Sequence, residues 1–169
     1  MTDRTASPSY FQHLARYNTW ANGLLYAACA ALPAAEYHRA RPSFFGSIHA
    51  TLNHLLVADR IWFGRITGNA PDIALNAELY ADLPSLRTAR EAEDARIETL
   101  VQGMSEADLL RPVRYGNSSG KTFADPLVEL LPHVFNHQTH HRGQVHDMLS
   151  QTDVAPPSLD LIAYQRGRR

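Results

Sequence analysis

His137 and His141 stand four residues apart in the run Asn136-His137-Gln138-Thr139-His140-His141-Arg142-Gly143-Gln144. On a helix, side chains four apart lie one above the other on a single face, the spacing at which two imidazoles can grip one metal ion. The chain has nine histidines, and five of them (His133, His137, His140, His141 and His146) are crowded into this region. Projected at about 100° per residue, His141, Gln144, Met148 and His133 fall within about 40° of His137. His140 lies at the edge of that stripe and His146 on the opposite face. The stripe is polar where a core is expected to be apolar. Each unpaired buried polar group costs roughly 1–3 kcal/mol on mutational data, and one cation would pair several at once.

Two ligands on one helix do not complete a site. His54 is the third candidate, a bulky polar group flanked by small residues in the middle of a face shared with Ser47, Ala50, Thr51, Val57, Ala58, Ile61 and Arg65. Three imidazoles from two helices leave a position open for water or substrate, as in catalytic rather than structural zinc sites. Gln138 follows His137 where the metalloprotease motif HExxH carries its glutamate, so that base is absent. No Glu-x-x-His pair supports a di-iron carboxylate centre. Imidazoles suit several divalent metals: zinc and nickel lead, with iron, manganese and copper as alternatives. The competing account is an ordinary hydrogen-bonded or solvated His pair with no ion.

Around the stripe, Gln144 and His140 are candidates to orient a ligand imidazole or a bound water. Arg142 is expected to point outward into a salt bridge, Gly143 to allow close helix packing, and His49 to be a surface or connector contact. Tyr17, Asn18, Trp20 and Trp62 read as core or interface residues, with a substrate-pocket role as the alternative for Tyr17 or Asn18, and His133 is not taken as a ligand. No general base is assigned.

These side chains need helices to hold them. Phe11, Leu14, Asn18, Ala21, Leu25, Ala28 and Leu32 repeat at helical spacing, which predicts a first helix over Tyr10–Leu32. A connector over Glu36–Phe45 is followed by a second helix, Ser47–Thr67, stopped by Gly68-Asn69-Ala70-Pro71. Leu86–Gly103 predicts a solvated third helix with Ile97 and Leu100 inward. Ser105–Leu110 reads as one capped turn, with Asp108 three residues after the cap. Val113–Phe123 reads as a loop or small hairpin. Asp125 as N-cap and Pro126 at the first helical position start the fourth long helix, which runs to about Ser150. Pro132 predicts a kink or restart in it. Ser158–Gln165 closes the chain with a short helix. The result is an all-α, four-helix bundle in one domain over residues 1–169, an architecture that builds metal sites from facing helices.

Composition agrees with a globular protein of this kind. Acidic and basic residues number 17 and 16, which gives no support to a nucleic-acid surface or a polybasic membrane patch. The single cysteine, Cys29, excludes an internal disulfide and a cysteine-rich zinc cluster, and its alanine neighbours mark it as a small buried residue. The N-terminal stretch to Pro8 lacks an apolar signal region, and no segment has the roughly 18 apolar residues of a membrane span, so a cytoplasmic protein is expected.

Four blocks of sequence carry a family resemblance. They are Tyr17-Asn18-x-Trp20-Ala21-Asn22, Leu52-Asn53-His54-Leu55-Leu56-x-Ala58-Asp59-Arg60-x-Trp62, Asn136-His137-x-x-His140-His141-Arg142-Gly143-Gln144, and Leu159-Asp160-Leu161-Ile162-x-Tyr164. Together they resemble the DinB (DinB/YfiT-like) family, unrelated to the DNA polymerase of the same name. The resemblance implies an up-down-down-up bundle with a long crossover, commonly a homodimer, and a metal triad at His54, His137 and His141. It also implies a thiol-dependent transferase or isomerase using a low-molecular-weight thiol as cosubstrate. The family name records DNA-damage induction and says nothing of DNA binding. The expected chemistry is activation of a thiol or water by the ion for attack on a small electrophile. Metal-dependent hydrolysis and a non-catalytic, stress-related metal-binding protein are the alternatives.

Overall fold

The computed structural model describes residues 7–116 and 119–167. The residues up to Ala6, the Asn117-Ser118 pair of the expected hairpin and the last two residues of the basic tail lie outside the described residues. The fold is mainly helical. Helices α1 (Pro8–Ala30), α3 (Ile48–Thr67), α4 (Leu83–Gln102) and α6 (Leu127–Leu149) are long, and α2 (Ala34–His38), α5 (Glu106–Leu110) and α7 (Leu161–Arg166) are short. One antiparallel pair, β1 (Pro112–Gly116) and β2 (Thr122–Pro126), runs in register from Pro112↔Pro126 to Gly116↔Thr122.

Local chemistry sets most of these boundaries. Ser47 caps α3 by accepting a hydrogen bond from the Ala50 amide at 3.0 Å, and Gly68 ends that helix in the left-handed region at φ 82°. Asp82 caps α4 through the Ser85 amide at 2.8 Å, with Pro84 in the first turn, so α4 begins three residues ahead of the expected Leu86. Ser105 and Asp108 form the reciprocal cap foreseen for α5. α1 starts at Pro8, a residue type suited to the first turn because it lacks an amide to satisfy.

Two expectations for α6, the Asp125 cap and a restart at Pro132, are corrected. Asp125 is not its N-cap. It pairs with Val113 in the hairpin, its carboxylate accepts the Tyr115 hydroxyl at 2.6 Å, and Pro126 takes the cap position. Pro132 does not restart the helix, which continues as one element through it. Proline at the sixth helical residue forgoes only the bond to the carbonyl of Val128, next to a first turn whose amides have no partner within the helix.

The long helices pack in a ring, α1 against α4, α4 against α3, α3 against α6, and α6 against α1. Two apolar clusters fill it. One gathers Phe11, Phe63, Val101 and Leu131, the other Leu25, Leu52, Leu86 and Met148. Along α1 and α6 the chain passes from the first cluster to the second; along α3 and α4 it passes from the second to the first. Because α3 and α4 run the same way, residues 68–82 must cross back along the molecule.

That crossover is held tightly to α3. Asn53 exchanges two hydrogen bonds with the Tyr80 backbone, at 3.2 and 3.1 Å, and Arg60 donates to the Tyr80 hydroxyl at 3.1 Å. At Gly64 a Cβ would stand 2.6 Å from the Ala70 Cα, so only glycine lets the strap lie this close.

Between the apolar clusters all four long helices contribute polar groups. Arg90 lies 2.8 Å from Asp59 and 2.9 Å from Asp94, close charge contacts rather than well-aligned hydrogen bonds. Asn18 and Asn22 donate to Asp94 and accept from Arg142. This overturns two expectations: α4 is not simply solvated, since Arg90, Glu93 and Asp94 are buried, and Arg142 points inward with 2% exposure. No helix among the described residues is long and apolar enough to cross a membrane.

Candidate metal centre

α3 presents His54 and α6 presents His137 and His141 to one another across the α3–α6 interface. One ring nitrogen from each of the three lies within 4.8 Å of the others. The Nε2 atoms of His54 and His137 are 3.2 Å apart, close to the roughly 3.3 Å expected of two nitrogens bound to one tetrahedral ion at about 2.05 Å. His54 and His141 are buried and His137 is half-buried.

What stands behind each ring decides what it offers in front. The His54 Nδ1 lies 2.8 Å from the Leu75 carbonyl in the crossover. A carbonyl only accepts, so Nδ1 holds the proton and Nε2 presents its lone pair. The His141 Nδ1 is 2.8 Å from Gln144 Oε1, which fixes the same tautomer. With His54 Nε2 an acceptor, the close approach of His137 Nε2 requires either a proton on His137 or a cation shared between them. Phe45 stacks on the His54 ring at 4.0 Å and meets His141 edge-on at 5.4 Å, covering the pair with an apolar lid.

Burial keeps all three rings neutral, the form in which imidazole binds metal. Desolvation lowers the pKa of His54 and of His141. At His137, desolvation together with the neighbouring His141 and His54 pushes it down to about 3. The donor set suits a divalent transition metal: three uncharged nitrogens, no thiolate and no carboxylate among the described residues of the group.

The other histidines separate from this group. His140 is exposed and touches Gln144 at 3.4 Å. His133 packs edge-on against Trp62, 4.9 Å between ring centres, and is 6.2 Å from His137. His146 lies on the opposite side of α6, lining a groove with Tyr10 and Leu161. His49 is a connector contact, as expected, but buried rather than superficial, 3.2 Å from the Tyr37 hydroxyl. Gly143 serves no close packing: a Cβ there would meet nothing within 4 Å. Cys29 is buried, its thiol pushed up to about 12 by desolvation, which makes it a poor nucleophile.

Phe45 and Leu75 were not foreseen as parts of the site. Each reaches it from an irregular segment, where no periodicity points a side chain or carbonyl toward a helix. The polar core left a fainter signal. Asn18 and Asn22 form an i,i+4 pair on the otherwise apolar face of α1, and Arg90 and Asp94 form another on α4.

The sequence matches the profile of the DinB family over residues 1–168. It is also similar to Protein DinB of Bacillus subtilis (strain 168), 32% identical over 160 residues that cover 89% of this chain and 91% of that protein.

Proposed function

The chain belongs to the DinB family, and from that premise and the three-histidine geometry we propose that it is a metal-dependent enzyme built as a single-domain, up-down-down-up four-helix bundle. His54, His137 and His141 hold one divalent ion, zinc or nickel in the first place. The observation that carries this reading is the convergence of three neutral imidazoles, two of them aimed by acceptors behind them.

An ion held there supplies Lewis acidity, lowering the pKa of a coordinated thiol or water so that it is a nucleophile near neutral pH. The protein's own groups prepare the place. Leu75 and Gln144 keep the Nδ1 protons on His54 and His141. Burial keeps the rings uncharged. Phe45 excludes water from one side, which strengthens charge interactions within. His140, through Gln144, stands one hydrogen bond further out. The reaction class is transfer of a low-molecular-weight thiol to a small electrophile, or isomerisation through such an adduct. Hydrolysis is the second reading, because three protein ligands serve water equally well. The family premise extends the proposal to a cytoplasmic homodimer, which light scattering on the purified protein would check.

Elemental analysis of gently purified protein tests the core of the proposal. We expect about one equivalent of metal per chain, lost in His54→Ala, His137→Ala and His141→Ala; a wild type without metal, and unable to take it up, ends the reading. Incubation of the loaded protein with a panel of electrophiles, with and without bacterial thiols, then separates the reactions. Thiol-dependent turnover supports transfer, thiol-independent turnover supports hydrolysis, and none at all leaves a metal-binding protein.

A further inference from the structure

A cavity of about 1060 Å³ lies between the C-terminal half of α3, the crossover and β1. None of the three histidines is among its lining residues, but it reaches His54 through one intervening residue and His137 through two. Leu75 lines it and gives its carbonyl to His54 Nδ1. Trp62 lines it and packs on His133, which neighbours His137. Ile61, Ile73 and Leu75 join Trp62 in giving it an apolar wall.

Its charges are uneven. Arg65 and Arg114 both line it, against the single acid Asp72, so the lining carries 2 − 1 = +1. Among the described residues neither arginine has a carboxylate partner. The Arg65 guanidinium lies over the rings of Trp62 and Tyr115, at 4.6 and 5.2 Å, and donates to the Gly116 carbonyl at 3.0 Å. A guanidinium fixed on aromatic faces keeps its remaining N–H groups in a plane, the arrangement that takes a carboxylate in two parallel hydrogen bonds. A net lining charge of one suits a monoanion better than a phosphate dianion.

We propose that this cavity is the substrate arm of the metal centre, and that it selects a small monocarboxylate with a flat apolar body. The body lies along Ile61, Trp62 and Leu75, the carboxylate meets Arg65 and Arg114, and the reactive end points toward the histidines. As a substrate arm it rests on the metal reading above; as a carboxylate site it stands by itself, and the test keeps the two apart.

The chain has two tryptophans, so Trp20→Phe leaves Trp62 as the sole reporter. In that background, 2-naphthoate and its neutral analogue 2-naphthamide are titrated with and without zinc, following Trp62 emission. We expect naphthoate to quench it and to bind about ten-fold more tightly than the amide. Arg65→Gln and Arg114→Gln should each remove most of that preference while amide binding persists. Arg65→Lys should restore part of it, and Asp72→Asn should increase it. Because Arg114 is exposed on the strand, its variant keeps the test valid if Arg65→Gln fails to fold. His137→Ala should abolish metal uptake and leave naphthoate binding intact. Equal binding of the two probes, or Trp62 emission indifferent to both, overturns the arm even in a protein that holds metal. Selective naphthoate binding in a protein that takes up no metal keeps the site and removes only its link to catalysis.

Discussion

Two polar pairs stand side by side on α6, Gln138 with Arg142 and His137 with His141, each pair four residues apart and offset from the other by one position. They meet opposite fates. Arg142 enters a network in which two buried cations, Arg90 and Arg142, balance two buried anions, Asp59 and Asp94, with Asn18 and Asn22 between them. That cluster is balanced in charge by its own members. The histidine pair joins His54 in a group whose rings burial keeps neutral and in which His54 and His141 turn acceptor nitrogens inward. It lacks a positive charge of its own. Burial alone therefore does not single out a candidate site in this protein; what sets the histidines apart is that no neighbour among the described residues supplies the cation their lone pairs face.

The contrast can be broken from the network side first. Arg90→Met leaves Asp59 and Asp94 buried without their shared cation, and should cost about 3–5 kcal/mol in urea unfolding. If the variant is still folded at low temperature it should bind metal as the wild type does, since no ligand is touched. A loss below about 1 kcal/mol would mean that the network is not the compensated unit described above.

From the other side the effect is smaller and appears in affinity. Gln144→Ala releases the His141 tautomer and should weaken metal binding about 10–100-fold, measured by competition with a chelator. The ion-free protein should change by no more than about 0.5 kcal/mol, because Gln144 is half-exposed. Unchanged affinity would show that the Gln144 contact does not orient the ring.

Acid and base should act on the two regions in opposite directions. His137 has its pKa pushed down from 6.5 to about 3, so the unfolded chain takes up its proton first. The stability this gives is complete above about pH 6.5 and is lost as pH falls toward 3. Asp59 has its pKa pushed up from 3.8 to about 6, chiefly by burial, so its folded form favours the proton. That contribution is complete below pH 3.8 and is lost as pH rises through 6. Urea unfolding of ion-free protein between pH 3.5 and 7.5 should show His137→Ala flattening the acid-side loss and Asp59→Asn flattening the loss on raising pH. Parallel curves for all three proteins would contradict both assignments.

Much of this organisation was legible in the residues, and the reasons are local. Ser47, Gly68 and the Ser105/Asp108 pair mark helix ends because each satisfies a terminal backbone group, or permits the turn, within a few residues. The triad was legible because its members lie on faces that helical periodicity resolves. Arg142 and the charges of α4 were misplaced for the converse reason. Periodicity reports that a polar residue sits on a face, whereas its burial depends on a counter-charge from another helix, as Arg90 is placed by Asp59. Asp125 was misread because the same dipeptide suits a helix cap and a strand end, and only the Tyr115 hydroxyl across the hairpin decides between them. Phe45 and Leu75 act through tertiary placement of irregular chain, on which spacing is silent.

Gly64 lies ten residues from His54 and touches none of the three imidazoles. Yet the missing methyl group there is what allows the strap to rest on its helix, and the strap carries the oxygen that aims one of the rings. An alanine at this position would lift the backbone as a wedge lifts a lever, and the far end of that lever is the Leu75 carbonyl. The metal affinity proposed for the three histidines is thus exposed to a change of one carbon atom at a residue with no ligand chemistry at all.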